Sequence, residues 1–131
     1  MAVLIDTSVL IDIERGINSS TAERLLGDED CAISVVTMSE LLHGAFRARR
    51  GQRARRRAFV EQLLVGIEAI PITEPIARIH AEVWAELARR GNTVGAHDLW
   101  IAATALAHGF SVATRDRADF ARVPGLSVIS V

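Results

Sequence analysis

The chain has no Lys and no Tyr, only three Pro, and a single Cys among 131 residues. Each absence removes a mechanism. Without Lys there can be no Schiff base, no phosphate-binding P-loop lysine and none of the Lys expected of a response-regulator receiver. Cys31 alone allows neither an intrachain disulfide nor a multi-cysteine zinc site, which fits a reducing cytoplasm. The opening Met-Ala-Val-Leu-Ile-Asp lacks the basic start of a signal peptide. The longest strongly apolar run, Leu99 to Ala107, is about half a membrane span. The expectation is a cytoplasmic protein with no membrane attachment, folded as a single domain over residues 1–131.

What is present is lopsided. All fifteen basic residues are Arg, set against sixteen acids for a formal net charge of −1. Seven of the eleven residues from Arg47 to Arg57 are Arg, so the rest of the chain carries a formal −8. Half the residues are apolar and a quarter charged, the balance of a globular domain that buries roughly two-thirds of its unfolded surface.

Short apolar runs alternate with segments of helical period, the pattern of a parallel sheet flanked by helices in an α/β fold. Strands are expected at Ala2–Ile5, Cys31–Val35, Ala69–Ile72, Ser111–Thr114 and Ser127–Val131. Helices are expected over Val9–Glu14, over Ser19–Leu26, from about Thr37, and along the face formed by Phe59, Val60, Leu63, Leu64 and Ile67. Thr73-Glu74-Pro75 starts another, with Ile76, Ile79, His80, Val83, Trp84 and Leu87 as its stripe. The segment His97–His108 is apolar nearly all round and belongs in the middle of the domain. His80, on an apolar face, reads as a core or boundary residue.

Carboxylates interrupt this pattern at four places. Asp6 follows the first strand, Asp116 follows Val112-Ala113-Thr114-Arg115, Glu40 falls in the first turn of the helix after the second strand, and Asp98 opens the apolar helix. Ligands collect at the carboxyl ends of parallel strands. Each acid has a bland reading: Asp6 as an N-cap, Thr37-x-x-Glu40 as a capping box, Asp98 at the positive end of its helix, Asp116 and Asp119 as a polar turn. Those readings leave four acids at one edge unexplained. Clustered carboxylates repel unless a cation neutralises them, and oxygen-only ligands suit Mg²⁺ or Mn²⁺. With one or two such ions, the natural chemistry is attack of an activated water on a phosphodiester. A phosphatase of the haloacid-dehalogenase type is excluded, because it needs an Asp where Ser8 stands and a Lys.

With the acids placed, the chain resembles a PIN-domain ribonuclease of the VapC toxin type over essentially its whole length. The resemblance is carried by Val3-Leu4-Ile5-Asp6-Thr7-Ser8, by Ile33-Ser34-Val35-Val36-Thr37-Met38-Ser39-Glu40-Leu41 with Gly44, by Asn92 to Ala105 around Asp98, and by Val112-Ala113-Thr114-Arg115-Asp116 with Asp119-Phe120. It implies a small central parallel sheet of about five short strands and a metal-dependent endoribonuclease site. By position, Asp6, Glu40 and Asp98 match the family's first three acids. The fourth is Asp116 or Asp119. Thr7, Ser8 and Thr114 match supporting hydroxyls. The family further implies an RNA substrate such as tRNA or rRNA, a homodimer, and a cognate antitoxin that covers the site and brings the toxin to operator DNA. Asp6, Asp98 and Asp116 would hold metal and Glu40 a second ion or the attacking water. Arg53, Arg55, Arg56, Arg57 and Arg115 are candidate phosphate contacts, although the cluster also reads as a solvated helix connection or a surface for an acidic antitoxin tail. The competing function is a PIN module that binds RNA or an antitoxin without cutting.

Overall fold

In the computed structural model, which describes residues 2–17, 19–27 and 30–131, five short strands form one parallel sheet. They are β1 (Val3–Ile5), β2 (Cys31–Ser34), β3 (Glu68–Ile70), β4 (Ser111–Thr114) and β5 (Val128–Ser130), in the order β3-β2-β1-β4-β5. The helices are α1 (Thr7–Glu14), α2 (Ser19–Leu26), α3 (Val35–Arg47), α4 (Arg53–Gly66), α5 (Glu74–Arg89), α6 (Ala96–His108) and α7 (Arg117–Ala121).

Successive strand residues point to opposite faces, and both faces are covered. Leu4, Ala32 and Val112 pack with Ile76, Val83 and Leu87 of α5, Leu99, Ile101 and Ala102 of α6, and Phe120 of α7. Val3, Ile5, Ile33 and Ala113 pack with Val9 and Leu10 of α1, Leu41 of α3 and Val60 of α4. That is why the strands read as continuous apolar runs rather than alternating ones. The apolar α6 is buried as expected, with Ile101, Ala102, Ala103 and Ala105 fully inside. Gly109 ends it in the left-handed conformation at φ 70.

Several boundaries differ from the sequence expectation. The helix expected from about Thr37 begins at Val35, because the Ser34 side chain accepts the Val36 N–H and caps it. Thr37 is therefore inside α3, the capping box with Glu40 does not form, and Glu40 falls in the second turn rather than the first. Ile67 lies beyond α4, in extended conformation. β3 stops at Ile70 instead of Ile72, where Pro71 supplies no N–H for a further rung. The turn around Asp116 and Asp119 closes into the short α7. No helix among the described residues is long and apolar enough to cross a membrane.

Candidate metal centre

The sheet order sets the location. The chain moves from β1 outward to β2 and β3, then returns to place β4 on the other side of β1. The crevice at the carboxyl ends of β1 and β4 is thus the switch point where open α/β sheets bind ligands. Asp6 leaves β1 and Asp116 leaves β4 at that crevice. α3 brings Glu40 and α6 brings Asp98. Asp98 follows a helix, α5, rather than a strand, but the first turn of α6 delivers it to the same place.

Asp6 and Asp116 occupy N-cap positions of α1 and α7, and neither side chain caps its helix. The Asp6 carboxylate is instead engaged sideways: Oδ2 accepts from Ser8 Oγ and Thr114 Oγ1, both at 2.8 Å. Thr114 Oγ1 also accepts the Asp116 N–H at 2.8 Å, so one hydroxyl links two of the acids. Thr7 Oγ1 donates to Glu40 Oε1 at 2.7 Å and lies 3.1 Å from Thr37 Oγ1. On the other side of that carboxylate, His97 Nδ1 is 3.3 Å from Oε2. Carboxylate oxygens of Asp98, Asp116 and Asp119 all lie within 4.8 Å of one another. Both candidates for the fourth acid therefore reach Asp98.

The electrostatics show how these groups converge. Asp98 is raised from an ordinary 3.8 to about 7, first by burial and then by the charges of Asp6, Asp116, Asp119 and Glu40. Every charge that shifts it is another carboxylate. Asp6 is also raised, mainly by burial, against the lowering effect of the Ser8 and Thr114 hydrogen bonds. The donor set is oxygen-only, negatively charged and held by its own hydroxyl partners. Those properties fit a hard divalent cation.

The arginines occupy a different place. Arg56 Nε pairs with Glu14 at 2.9 Å at the far end of α1, Arg53 Nε donates to the Ala48 carbonyl at 2.8 Å, and Arg57 lies over the Phe46 ring and 3.5 Å from Glu61. Arg55 and Arg56 line a cavity of about 560 Å³ with Glu14, Arg15, Gln52 and Phe59. Arg47 closes α3, ~10 Å along the helix axis from Glu40, so the cluster sits beside the acid site and not in it. Arg115 Nη1 contacts Asp12 Oδ1 at 2.8 Å. His80 is buried and stacks on Trp100 with ring centroids 3.5 Å apart, the core role its position suggested. Sequence reasoning missed Asp12, although a carboxylate inside Val9-Leu10-Ile11-Asp12-Ile13 was the available signal. It also left the His97 contact with Glu40 unassigned.

Comparison with known proteins identifies the family. The PIN domain family model matches residues 3–126. Ribonuclease VapC4 of Mycobacterium tuberculosis is 37% identical, covering 98% of this chain and 95% of its own length. Ribonuclease VapC1 of Rickettsia felis is 34% identical, covering 100% and 97%. A tRNA(fMet)-specific endonuclease VapC of Shigella flexneri is 32% identical, covering 94% and 92%. Among solved structures, DNA-bound VapBC from Salmonella typhimurium superposes with a TM-score of 0.89 at 27% identity, covering 99% of this chain and 98% of that one. VapBC-5 of Mycobacterium tuberculosis gives 0.80 at 33%, with complete coverage of both chains. The chain belongs to the PIN-domain family and, within it, to the VapC ribonucleases.

Proposed function

We propose that this VapC-type endoribonuclease toxin works through one or two divalent ions, Mg²⁺ or Mn²⁺, held by Asp6, Asp98, Asp116 and Asp119. The observation that carries this reading is the convergence of carboxylate oxygens of Asp98, Asp116 and Asp119 within 4.8 Å of one another, where burial and the neighbouring carboxylates lift Asp98 to about 7. A divalent ion bound there supplies a Lewis acid and a water acidified toward neutrality. The chain's own residues do the rest. Ser8 and Thr114 fix the Asp6 carboxylate, and Thr7 and His97 bracket Glu40, which is thereby aimed to hold a second ion or to orient the attacking water. Hydrolysis of this kind leaves a 5′-phosphate and a 3′-hydroxyl.

The arginines at the α3–α4 end grip phosphates flanking the cleaved bond rather than the cleaved one itself, by the fork geometry that suits phosphate. By analogy with the VapBC complexes among its structural relatives, the partner is an antitoxin that covers the acidic edge and carries the toxin to operator DNA. Part of the same reading is that the toxin pairs as a homodimer, as the family resemblance implies.

Asp6→Ala and Asp98→Ala should abolish cleavage of a structured RNA while circular dichroism shows a folded protein, and EDTA should do the same to the wild type. Undiminished cleavage in excess EDTA would overturn the metal reading. A folded wild type that binds RNA in Mn²⁺ but never cuts it would favour the non-cleaving module.

A further inference from the structure

Asp12 is 3% exposed and lies outside the acid cluster. Its partner comes from 103 residues away: Arg115 Nη1 meets its Oδ1 at 2.8 Å. Asp12 is inside but the Arg115 side chain is 49% exposed, and an ion pair so open to solvent on one side is weak grounds for stability, because screening and the desolvation of Asp12 offset most of the attraction. Its geometry suggests another purpose. Arg115 stands between Thr114 and Asp116, and its backbone N–H donates to Ser8 Oγ at 3.2 Å. Ser8 and Asp12 are four residues apart on α1 and share one helix face. The β4–α7 turn is therefore fastened to α1 at two points, by backbone at Ser8 and by guanidinium at Asp12. That turn carries Asp116 directly and Asp119 one helical turn later, both facing Asp98. Acids that repel one another push the turn outward, and the fastening opposes this.

We propose that the Asp12–Arg115 pair is a clasp that positions the β4–α7 turn, holding Asp116 and Asp119 at the spacing a divalent cation requires. The proposal rests on the metal-centre reading above. Both residues are positioning residues, acting through the turn and not on the substrate. The sign of one effect separates this role from a direct one. A guanidinium near a cation site repels the cation, so if Arg115 acted by charge alone its removal would tighten metal binding. The clasp requires the opposite.

The experiment uses full-length wild type, R115Q, R115K, D12N and the D12N/R115Q double variant. Mn²⁺ binding is measured by calorimetry without RNA, alongside thermal unfolding and kcat and KM on an RNA substrate. R115Q should weaken Mn²⁺ binding roughly tenfold and D12N roughly threefold to tenfold. The double variant should be no worse than the weaker single, because both break one contact. R115K, which keeps the charge and can reach Asp12, should stay within about twofold of wild type. The kcat should fall in R115Q with KM for RNA unchanged. Equal or tighter Mn²⁺ binding by R115Q overturns the clasp. So does a raised KM with unaltered Mn²⁺ affinity, which would make Arg115 an RNA contact, and so does a lowered Tm alone. Should R115Q fail to fold, R115M carries the same readout, since it keeps the aliphatic stem and removes the charge; D12N supports it only through the double variant, because losing an acid weakens cation binding by charge alone. No Mn²⁺ binding by the wild type would sink the metal centre and the clasp together, whereas binding that R115Q leaves intact sinks the clasp alone.

Discussion

Thr114 is the residue on which the site's order depends most directly. Its hydroxyl donates to Asp6 and accepts the Asp116 N–H, so it ties the acid that leaves β1 to the acid that leaves β4. It is fully buried, and a hydroxyl inside a protein must find partners or destabilise it. Here the partners are the site. Thr114→Val keeps the shape and removes both bonds. Asp6 then loses one of the two hydroxyl donors that stabilise its ionised form, the Asp116 N–H is left without its acceptor, and metal binding competes against a more proton-avid carboxylate. The expected result is roughly a tenfold to hundredfold loss of Mn²⁺ affinity, read by calorimetry at neutral pH. Thr114→Ser, which restores the hydroxyl, should recover most of it. Equal affinity in the Val variant would show that Asp6 needs no such support. The absence of Lys also acts at this scale: any contact with a substrate phosphate must come from guanidinium forks or from bound ions.

At the scale of elements, the short helix α7 shows both what the sequence reveals and where it falls silent. Asp116 and Asp119 were visible as acids after an apolar strand, but the five residues that follow are too few to carry a helical period. What makes them a helix is tertiary: Phe120 is fully buried in the layer shared with α5 and α6. Phe120→Ala should cost about 3–5 kcal/mol, measured by urea unfolding, and should weaken metal binding further by loosening the turn that carries both acids. Phe120→Leu should cost less than about 1.5 kcal/mol and spare the site. The same distinction explains the other boundaries. The central strands and α6 were legible because burial on all sides leaves an unbroken apolar signature. The start of α3 was not, because Ser34 belongs equally to a strand end and to a cap until the Val36 N–H is seen to point at it. Nor could spacing pair Asp12 with Arg115, since that contact joins the first helix to the fourth strand's exit across most of the chain.

For the molecule as a whole, the acid cluster makes stability depend on pH in a direction opposite to ordinary acid denaturation. Asp98 titrates at about 7 in the folded protein against 3.8 for a free side chain, so between those values the native state binds a proton that the unfolded chain releases. Its contribution is fully present below pH 3.8 and is lost as pH rises through about 7. Asp6 is shifted in the same direction. His80 works the other way, since burial lowers it from 6.5 and favours its neutral form, but its effect is complete above that value. The metal-free protein should therefore lose Tm between pH 6.5 and 8, where the His80 contribution is levelling off and Asp98 is giving up its proton. Asp98→Asn should flatten that slope and raise Tm at pH 8 by a few degrees, about what a stabilisation near 1 kcal/mol produces in a domain of this size. It would thus stabilise the fold while destroying the site. A divalent cation offers the wild type the same relief without the substitution. Mn²⁺ at about a hundred times its dissociation constant should add about 2.7 kcal/mol at pH 8, and less at pH 6, where protons hold the site against it. Calorimetric scans of both proteins with EDTA and with Mn²⁺ at the two pH values provide the check. A wild-type Tm that rises from pH 6.5 to 8 in EDTA, or an Asp98→Asn variant that gains as much from Mn²⁺ as the wild type, would mean that repulsion among these carboxylates is not what the cation relieves.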